Sequence, residues 1–188
     1  GPFCIGQGVV NLSASPFGGS WGGVALPNGS TVIGALGLGT HTATYTYTDN
    51  NGCTNTEALN FEVIPDPEVN INDPGVLCAD GNPVTLEGDP AGGTWGGAAD
   101  AGGNVDPQQL GIGSHTVTYT YTDLNFCTVT TELDLTVADG PSVSISAPPG
   151  PFCSSNPPVA LTGDPAGGTW DGAAEPNGTF NPAGRPNG

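Results

Sequence analysis

Basic side chains are almost absent from this chain of 188 residues, which carries Arg185 and no lysine against 18 aspartate and glutamate residues. The formal net charge of −17 repels nucleic acid and disfavours anionic membranes, while it attracts cations such as calcium. The lack of lysine also excludes lysine general bases and Schiff bases. Only 10% of the residues are charged, so the composition differs from that of a highly charged disordered chain.

Long apolar runs and common catalytic motifs are also missing. No run approaches the length that spans a membrane, so we expect no membrane insertion. The chain contains no HExxH, no GxSxG and no glycine-rich phosphate loop, and we predict that it is not an enzyme. By contrast, 32 glycines and 19 prolines interrupt the chain every few residues. This spacing excludes long helices and predicts an all-β chain of short strands joined by turns.

An internal repeat organises the sequence. Trp21, Trp95 and Trp170 stand in the phrases GGSWGG, GGTWGG and GGTWDG, and their numbers advance by 74 and then 75. A fixed period predicts one structural unit copied in tandem. We expect repeats at 1–68, 69–141 and 142–188. The first lacks a counterpart of the strand at 69–71 and the third is a front half, as in a window from a longer repeat protein.

The five cysteines follow the same period. Cys4 and Cys53 are separated by 49 residues, and so are Cys78 and Cys127. We therefore predict one disulfide per repeat, Cys4–Cys53 and Cys78–Cys127, with Cys153 unpaired. Closing each loop would contribute roughly 4 kcal/mol through lost chain entropy. Disulfides place the chain outside the cell, and the zinc alternative is disfavoured because no close Cys pair or Cys/His quartet occurs.

The segment 40–48 is the strongest predicted strand, and its two faces differ. His41, Ala43, Tyr45 and Tyr47 alternate with threonines, so the aromatic side should face the core. The outward hydroxyls are interpreted most simply as a solvated surface. The alternatives are O-glycan attachment or lateral contact at Thr42, Thr44, Thr46, Thr116, Thr118 and Thr120. The glycine-flanked tryptophans are expected to pack in the core on the disulfide, with sugar binding as the alternative.

Two long phrases, THTATYTYTDNNGCT and SHTVTYTYTDLNFCT, together with GGTWGG, resemble immunoglobulin-like repeats. Such repeats occur in tandem in very large secreted surface proteins and adhesins of Bacteroidetes bacteria. The resemblance covers both full copies and the front half of the third. It implies a β-sandwich with an adhesive or structural role outside the cell, and it implies no ligand. Tyr47 lies six residues before Cys53, so we do not transfer the tyrosine-corner hydrogen bond of immunoglobulin domains.

One cofactor has a case from the sequence. Asp66, Glu68 and Asp73 cluster with two asparagines where the first two repeats meet, and oxygen ligands at a joint can hold calcium. Solvated acidic side chains are the alternative interpretation.

The predicted architecture is a rod of immunoglobulin-like sandwiches of about 75 residues, stiffened by short proline linkers. We expect an extracellular structural or adhesive protein that associates with itself or with neighbouring repeats, and that can carry surface glycans. The alternative is a carbohydrate-binding module of a secreted enzyme, and ice binding by the threonine face is a more distant one.

Overall fold

The computed structural model of this protein describes residues 1–183, so Arg185 lies outside the described residues. The chain forms mostly β-strands, as predicted. It divides into two compact units, Gly1–Ala138 and Asp139–Gly188. The first two predicted repeats therefore lie together in the larger unit.

Six strands and two short 3-10 turns form the first half of the larger unit. The strands are β1 (Phe3–Cys4), β2 (Val9–Asn11), β3 (Ser20–Gly23), β4 (Ser30–Val32), β5 (Gly39–Thr48) and β6 (Thr54–Ile64), and the turns are Ile5–Gln7 and Ile33–Ala35. The second half contains β7 (Asn70–Ile71), β8 (Leu77–Cys78), β9 (Val84–Thr85), β10 (Gly88–Asp89), β11 (Thr94–Gly97), β12 (Asn104–Val105), helix α1 (Pro107–Leu110), β13 (Gly113–Thr122) and β14 (Thr128–Ala138).

Two long antiparallel hairpins dominate the larger unit. Hairpin β5–β6 runs from the pair Thr48 and Thr54 at its tip to Gly39 and Val63 at its base. Hairpin β13–β14 has the same register, from Thr122 and Thr128 to Gly113 and Val137. Threonine, tyrosine and valine favour a pleated, half-buried surface, which explains why these segments form the longest strands.

Each hairpin is the centre of a four-stranded sheet with the same strand order. The first sheet runs β1-β6-β5-β3 and the second β8-β14-β13-β11. Strand β1 pairs in parallel with the end of β6, so that Cys4 lies opposite Ile64 at the hairpin base. In the same way Cys78 lies opposite Ala138 at the base of the second hairpin.

The two cores lie on the aromatic and aliphatic faces of the hairpins, as the alternation predicts. In the first, Ile33, Ala43 and Val63 have at most 1% of their surface exposed. In the second, Val105 and Val117 are fully buried. The short antiparallel pairs β2–β4 and β9–β12 carry residues of these same cores. Burial of these apolar side chains is the main stabilising contribution to the unit.

Among residues 139–183, the smaller unit contains two short sheets. Its strands are β15 (Ser144–Ser146), β16 (Val159–Ala160), β17 (Thr162–Asp164) and β18 (Thr179–Phe180). Strand β15 pairs with β17, and β16 pairs with β18. The ring of Trp170 lies over Gly178, as Trp95 lies over Gly103 in the larger unit.

Candidate functional site: the junction of the two hairpins

A disulfide joins the base of the first hairpin to the tip of the second. The sulfurs of Cys4 and Cys127 are bonded, with a Cα–Cα distance of 5.5 Å across 123 residues of sequence. Both residues are buried: Cys4 has 7% of its surface exposed and Cys127 has none. The bond therefore connects the two hairpins of the larger unit.

The predicted pairs Cys4–Cys53 and Cys78–Cys127 are wrong. Cys4 lies opposite Ile64, whereas Cys53 immediately precedes Thr54 at the other end of strand β6. Eleven residues of extended strand separate these ends by about 35 Å, and a disulfide requires Cα atoms within about 7 Å. Cys78 and Cys127 are held apart in the same way, at opposite ends of β14.

The remaining three cysteines carry free, exposed thiols. Cys53 lies at the tip of the first hairpin and Cys78 at the base of the second, while Cys153 lies in the smaller unit. The prediction that Cys153 is unpaired agrees with this structure.

The two hairpin tips share one hydrogen-bonding scheme. One carboxylate oxygen of Asp123 accepts from the backbone N–H groups of Asn125 and Cys127, each at 2.8 Å. In the first hairpin Asp49 accepts equivalent bonds from Asn51 and Cys53, also at 2.8 Å.

At the first tip, these bonds favour the ionised form of Asp49. The N–H groups of Cys53 and then of Asn51 lower the pKa of Asp49 below its ordinary value. Asp49 thus fixes the backbone conformation around Cys53, and Asp123 does the same around Cys127.

One acidic residue lies beside the junction. The Gly6 N–H donates to a carboxylate oxygen of Asp66 at 3.3 Å. A carboxylate oxygen of Asp66 also lies within 4.8 Å of the sulfurs of Cys4 and Cys127. In the described part of the chain, this is the only group of three potential metal ligands. Because these sulfurs are bonded to each other, they are not thiolate ligands.

The three acids predicted to bind calcium are not brought together. Asp66 lies at the disulfide, whereas Asp73 accepts a bond of 2.8 Å from the Gly75 N–H within its own turn. Glu68 is exposed and belongs to no cluster of potential ligands among residues 1–183. Calcium binding by this set stays a prediction with no preformed site behind it.

The threonine faces are hydrogen-bonded across the strands. Thr46 bonds the hydroxyl of Thr56 at 2.8 Å, and Thr120 bonds that of Thr130 at 2.7 Å. Thr42 and Thr116 donate to Asn60 and Asp134, both at 2.6 Å. Thr44 and Thr118 are half-buried, and their hydroxyls lie close to Gly22 and Gly96. Glycan attachment or lateral contact at these threonines stays a prediction.

The tryptophans pack on tyrosines. Trp21 lies 4.8 Å from the ring of Tyr45, and Trp95 lies 4.5 Å from that of Tyr119. Both tryptophans are half-buried against the apolar cores, as expected. The expectation that each packs on a disulfide of its own repeat is wrong, because the bond joins Cys4 to Cys127.

A tyrosine clamp holds the loop before each of these tryptophans. The Tyr119 hydroxyl donates to the Pro90 carbonyl and accepts from the Gly93 N–H, both at 2.7 Å. Tyr45 makes the equivalent bonds to Pro16 and Gly19, at 2.6 and 2.7 Å. This role was not predicted from the sequence, because the tyrosine compared with the immunoglobulin tyrosine corner was Tyr47. The recurring pattern of glycines before Trp and Tyr in the next long strand was the available signal.

A cleft of about 750 Å³ lies beside the second hairpin. Its walls include Trp95, Tyr119, Asn70, Glu87 and Asp89. A second cleft, of about 450 Å³, lies in the smaller unit beside Trp170 and Asp164. Aromatic rings next to amide and carboxylate groups form the kind of surface that can bind a sugar ring.

Comparison with known proteins gives no family assignment. No protein-family model matches the chain, and no curated protein matches it significantly. Within residues 1–183, no helix has the length and apolar character needed to cross a membrane.

Proposed function

We propose that this chain is an extracellular structural or adhesive protein whose immunoglobulin-like β-sandwich repeats are linked into a rod. The observation that carries the proposal is the Cys4–Cys127 bond, which ties the base of one hairpin to the tip of the next. A covalent tie between successive repeats resists pulling and bending at the joint. Such a tie is of use to a protein that bears load along its length.

Two further features support an extracellular setting. A buried disulfide persists in oxidising compartments and is rare in the cytosol. The net charge of −17 keeps the surface soluble and works against binding to nucleic acid.

The shape of the molecule in solution tests the proposal. Small-angle X-ray scattering of the oxidised chain should give a radius of gyration well above about 16 Å, the value for one compact domain of this length. Electron microscopy of longer arrays should show thin particles whose length grows with repeat number. A compact particle of constant width and length would contradict the proposal.

A second candidate function is carbohydrate binding, favoured by the cleft beside Trp95. Two aromatic rings and several polar groups line this cleft, and a similar cleft recurs beside Trp170. Retention on insoluble polysaccharides such as cellulose, chitin or xylan tests it directly. Trp95→Ala should abolish retention if the cleft binds sugar, and a wild-type chain that is not retained removes this candidate.

A further inference from the structure

Residues at equivalent repeat positions have different environments in the larger unit. Cys127 is fully buried at the tip of the second hairpin, whereas its equivalent Cys53 is exposed at the tip of the first. Cys4 is buried at the base of the first hairpin, whereas its equivalent Cys78 is exposed at the base of the second. Each type of cysteine is buried only where the base of one hairpin meets the tip of the next.

The face beside each tip shows the same difference. Tyr119 has 2% of its surface exposed and Leu133 is half-buried, because β7 lies against β14 and pairs with β10. Val69, directly before β7, is buried as well. The chain segment that leads from the first repeat into the second therefore covers this face.

The equivalent face of the first hairpin has no such cover among the described residues. Tyr45 is only half-buried, and Leu59 has 49% of its surface exposed. The backbone at 14–15, equivalent to β10, pairs with no strand in the described part of the chain. The first hairpin thus has an exposed thiol at its tip, an exposed leucine along β6 and an unpaired segment beside it.

We propose that Cys53 and Cys78 are a matched pair of joining sites, through which the base of one copy of this chain bonds to the hairpin tip of the next copy. The new bond, Cys78 to Cys53, repeats the arrangement of Cys4 and Cys127. The inference rests on the proposed role as a linear repeat protein and deepens it, since it names the partner as a second copy and gives the polarity of joining.

The chemistry of joining is an ordinary thiol oxidation. Each thiol loses its proton, the two sulfurs form one bond, and two electrons pass to a disulfide oxidant. Oxidised glutathione is a suitable probe, because it takes up these electrons and protons to become two thiols. Exposure of both thiols allows the exchange to begin before the face is covered.

The sequence provides a natural point at which to connect two copies. The phrase Gly1-Pro2-Phe3-Cys4 returns as Gly150-Pro151-Phe152-Cys153. Residues 1–149 followed directly by a complete second copy therefore keep the native sequence across the join. In this tandem chain the repeat that carries Cys78 of the first copy is followed by the repeat that carries Cys53 of the second copy.

The test is a count of free thiols and a peptide map of the tandem chain after refolding with oxidised and reduced glutathione. If Cys78 and Cys53 bond across the join, three free thiols remain, the same number as in the single chain. The peptide map of the monomeric tandem chain should contain a cross-linked peptide that joins Cys78 of the first copy to Cys53 of the second. If Cys78 of the first copy and Cys53 of the second copy are also found as free thiols, the proposal is overturned.

Two matched variants separate this bond from unselective oxidation. Cys78→Ser in the first copy should raise the count by one, because the second Cys53 loses its partner. Cys53→Ser in the first copy should lower the count by one and leave the cross-linked peptide intact. Equal cross-linking of Cys153 to Cys78 or to Cys53 would also contradict the proposed Cys78–Cys53 pair.

The outcome is separable from that of the proposed function. A tandem chain that is elongated in scattering but lacks the Cys78–Cys53 bond would reject the joining sites and leave the rod intact. A tandem chain that contains the Cys78–Cys53 bond but is compact in scattering would support the joining sites and reject the rod.

Discussion

The sulfur of Cys4 is bonded to that of Cys127, although the two residues lie 123 positions apart in the sequence. Cys4 stands at the base of one hairpin and Cys127 at the tip of the other. The tip of the second hairpin is thus bonded to the base of the first.

Removing the junction bond should destabilise the larger unit. Cys4→Ser together with Cys127→Ser opens a loop of more than a hundred residues, which should lower the free energy of unfolding by about 2–5 kcal/mol. Thermal unfolding followed by circular dichroism measures the change. Cys153→Ser, in the smaller unit, is the control and should leave the melting of residues 1–138 unaltered. Equal melting of both variants would argue against a structural role for the bond.

Disulfide mapping of the single chain should identify Cys4 and Cys127 in one cross-linked peptide. The chain has no lysine, so cleavage with a protease specific for Asp or Glu is needed in place of trypsin. Mass spectrometry without reduction should detect the pair, and reduction should release the two peptides. Recovery of a Cys4–Cys53 peptide would contradict the geometry of strand β6.

The hydroxyl of Tyr119 should stabilise the fold in addition to the packing of its ring. Tyr119→Phe leaves the Gly93 N–H and the Pro90 carbonyl without their partner at a buried site. We expect a loss of about 1–3 kcal/mol in the free energy of unfolding, measured by urea denaturation. Tyr121→Phe is the control, because no hydrogen bond of the Tyr121 hydroxyl occurs among the described residues. A loss of equal size in both would show that the clamp contributes nothing specific.

Acid should loosen the tip of the first hairpin. The pKa of Asp49 is lowered in the folded chain by the N–H groups of Cys53 and Asn51. Its contribution to stability is therefore present above the unfolded pKa and is lost as pH falls through the folded value. NMR titration of the Asp49 carboxyl should give a midpoint below 3.8, its ordinary value. The Asn51 and Cys53 amide signals should shift with the same midpoint, and a midpoint at or above 3.8 would disprove the effect.

Calcium should have little effect on stability. Asp66 lies at the disulfide and Asp73 is engaged in its own turn, so no preformed set of oxygen ligands exists among these acids. The melting temperature should be the same with calcium and with a chelator. A clear fall with chelator, abolished by Asp66→Asn, would restore the calcium site predicted from the sequence.

The sequence by itself determined the strands and their faces. Alternation of Thr with Tyr and Ala predicted the strand at 40–48 and placed Ala43 in the core, because successive side chains of a strand point to opposite faces. The sequence Asp-Asn-Asn-Gly at 49–52, which lies between β5 and β6, is typical of a turn. These are local properties that a few neighbouring residues decide.

Only the tertiary structure decided the disulfide pairing and the separation of Asp66, Glu68 and Asp73. In a repeat, any pairing of one cysteine type with the other preserves the period, so equal spacing cannot tell Cys4–Cys53 from Cys4–Cys127. The length of strand β6 excludes the first pairing, and the approach of the second hairpin permits the other. A periodic sequence states which residues are equivalent, whereas contact between successive units depends on how far each hairpin reaches in space.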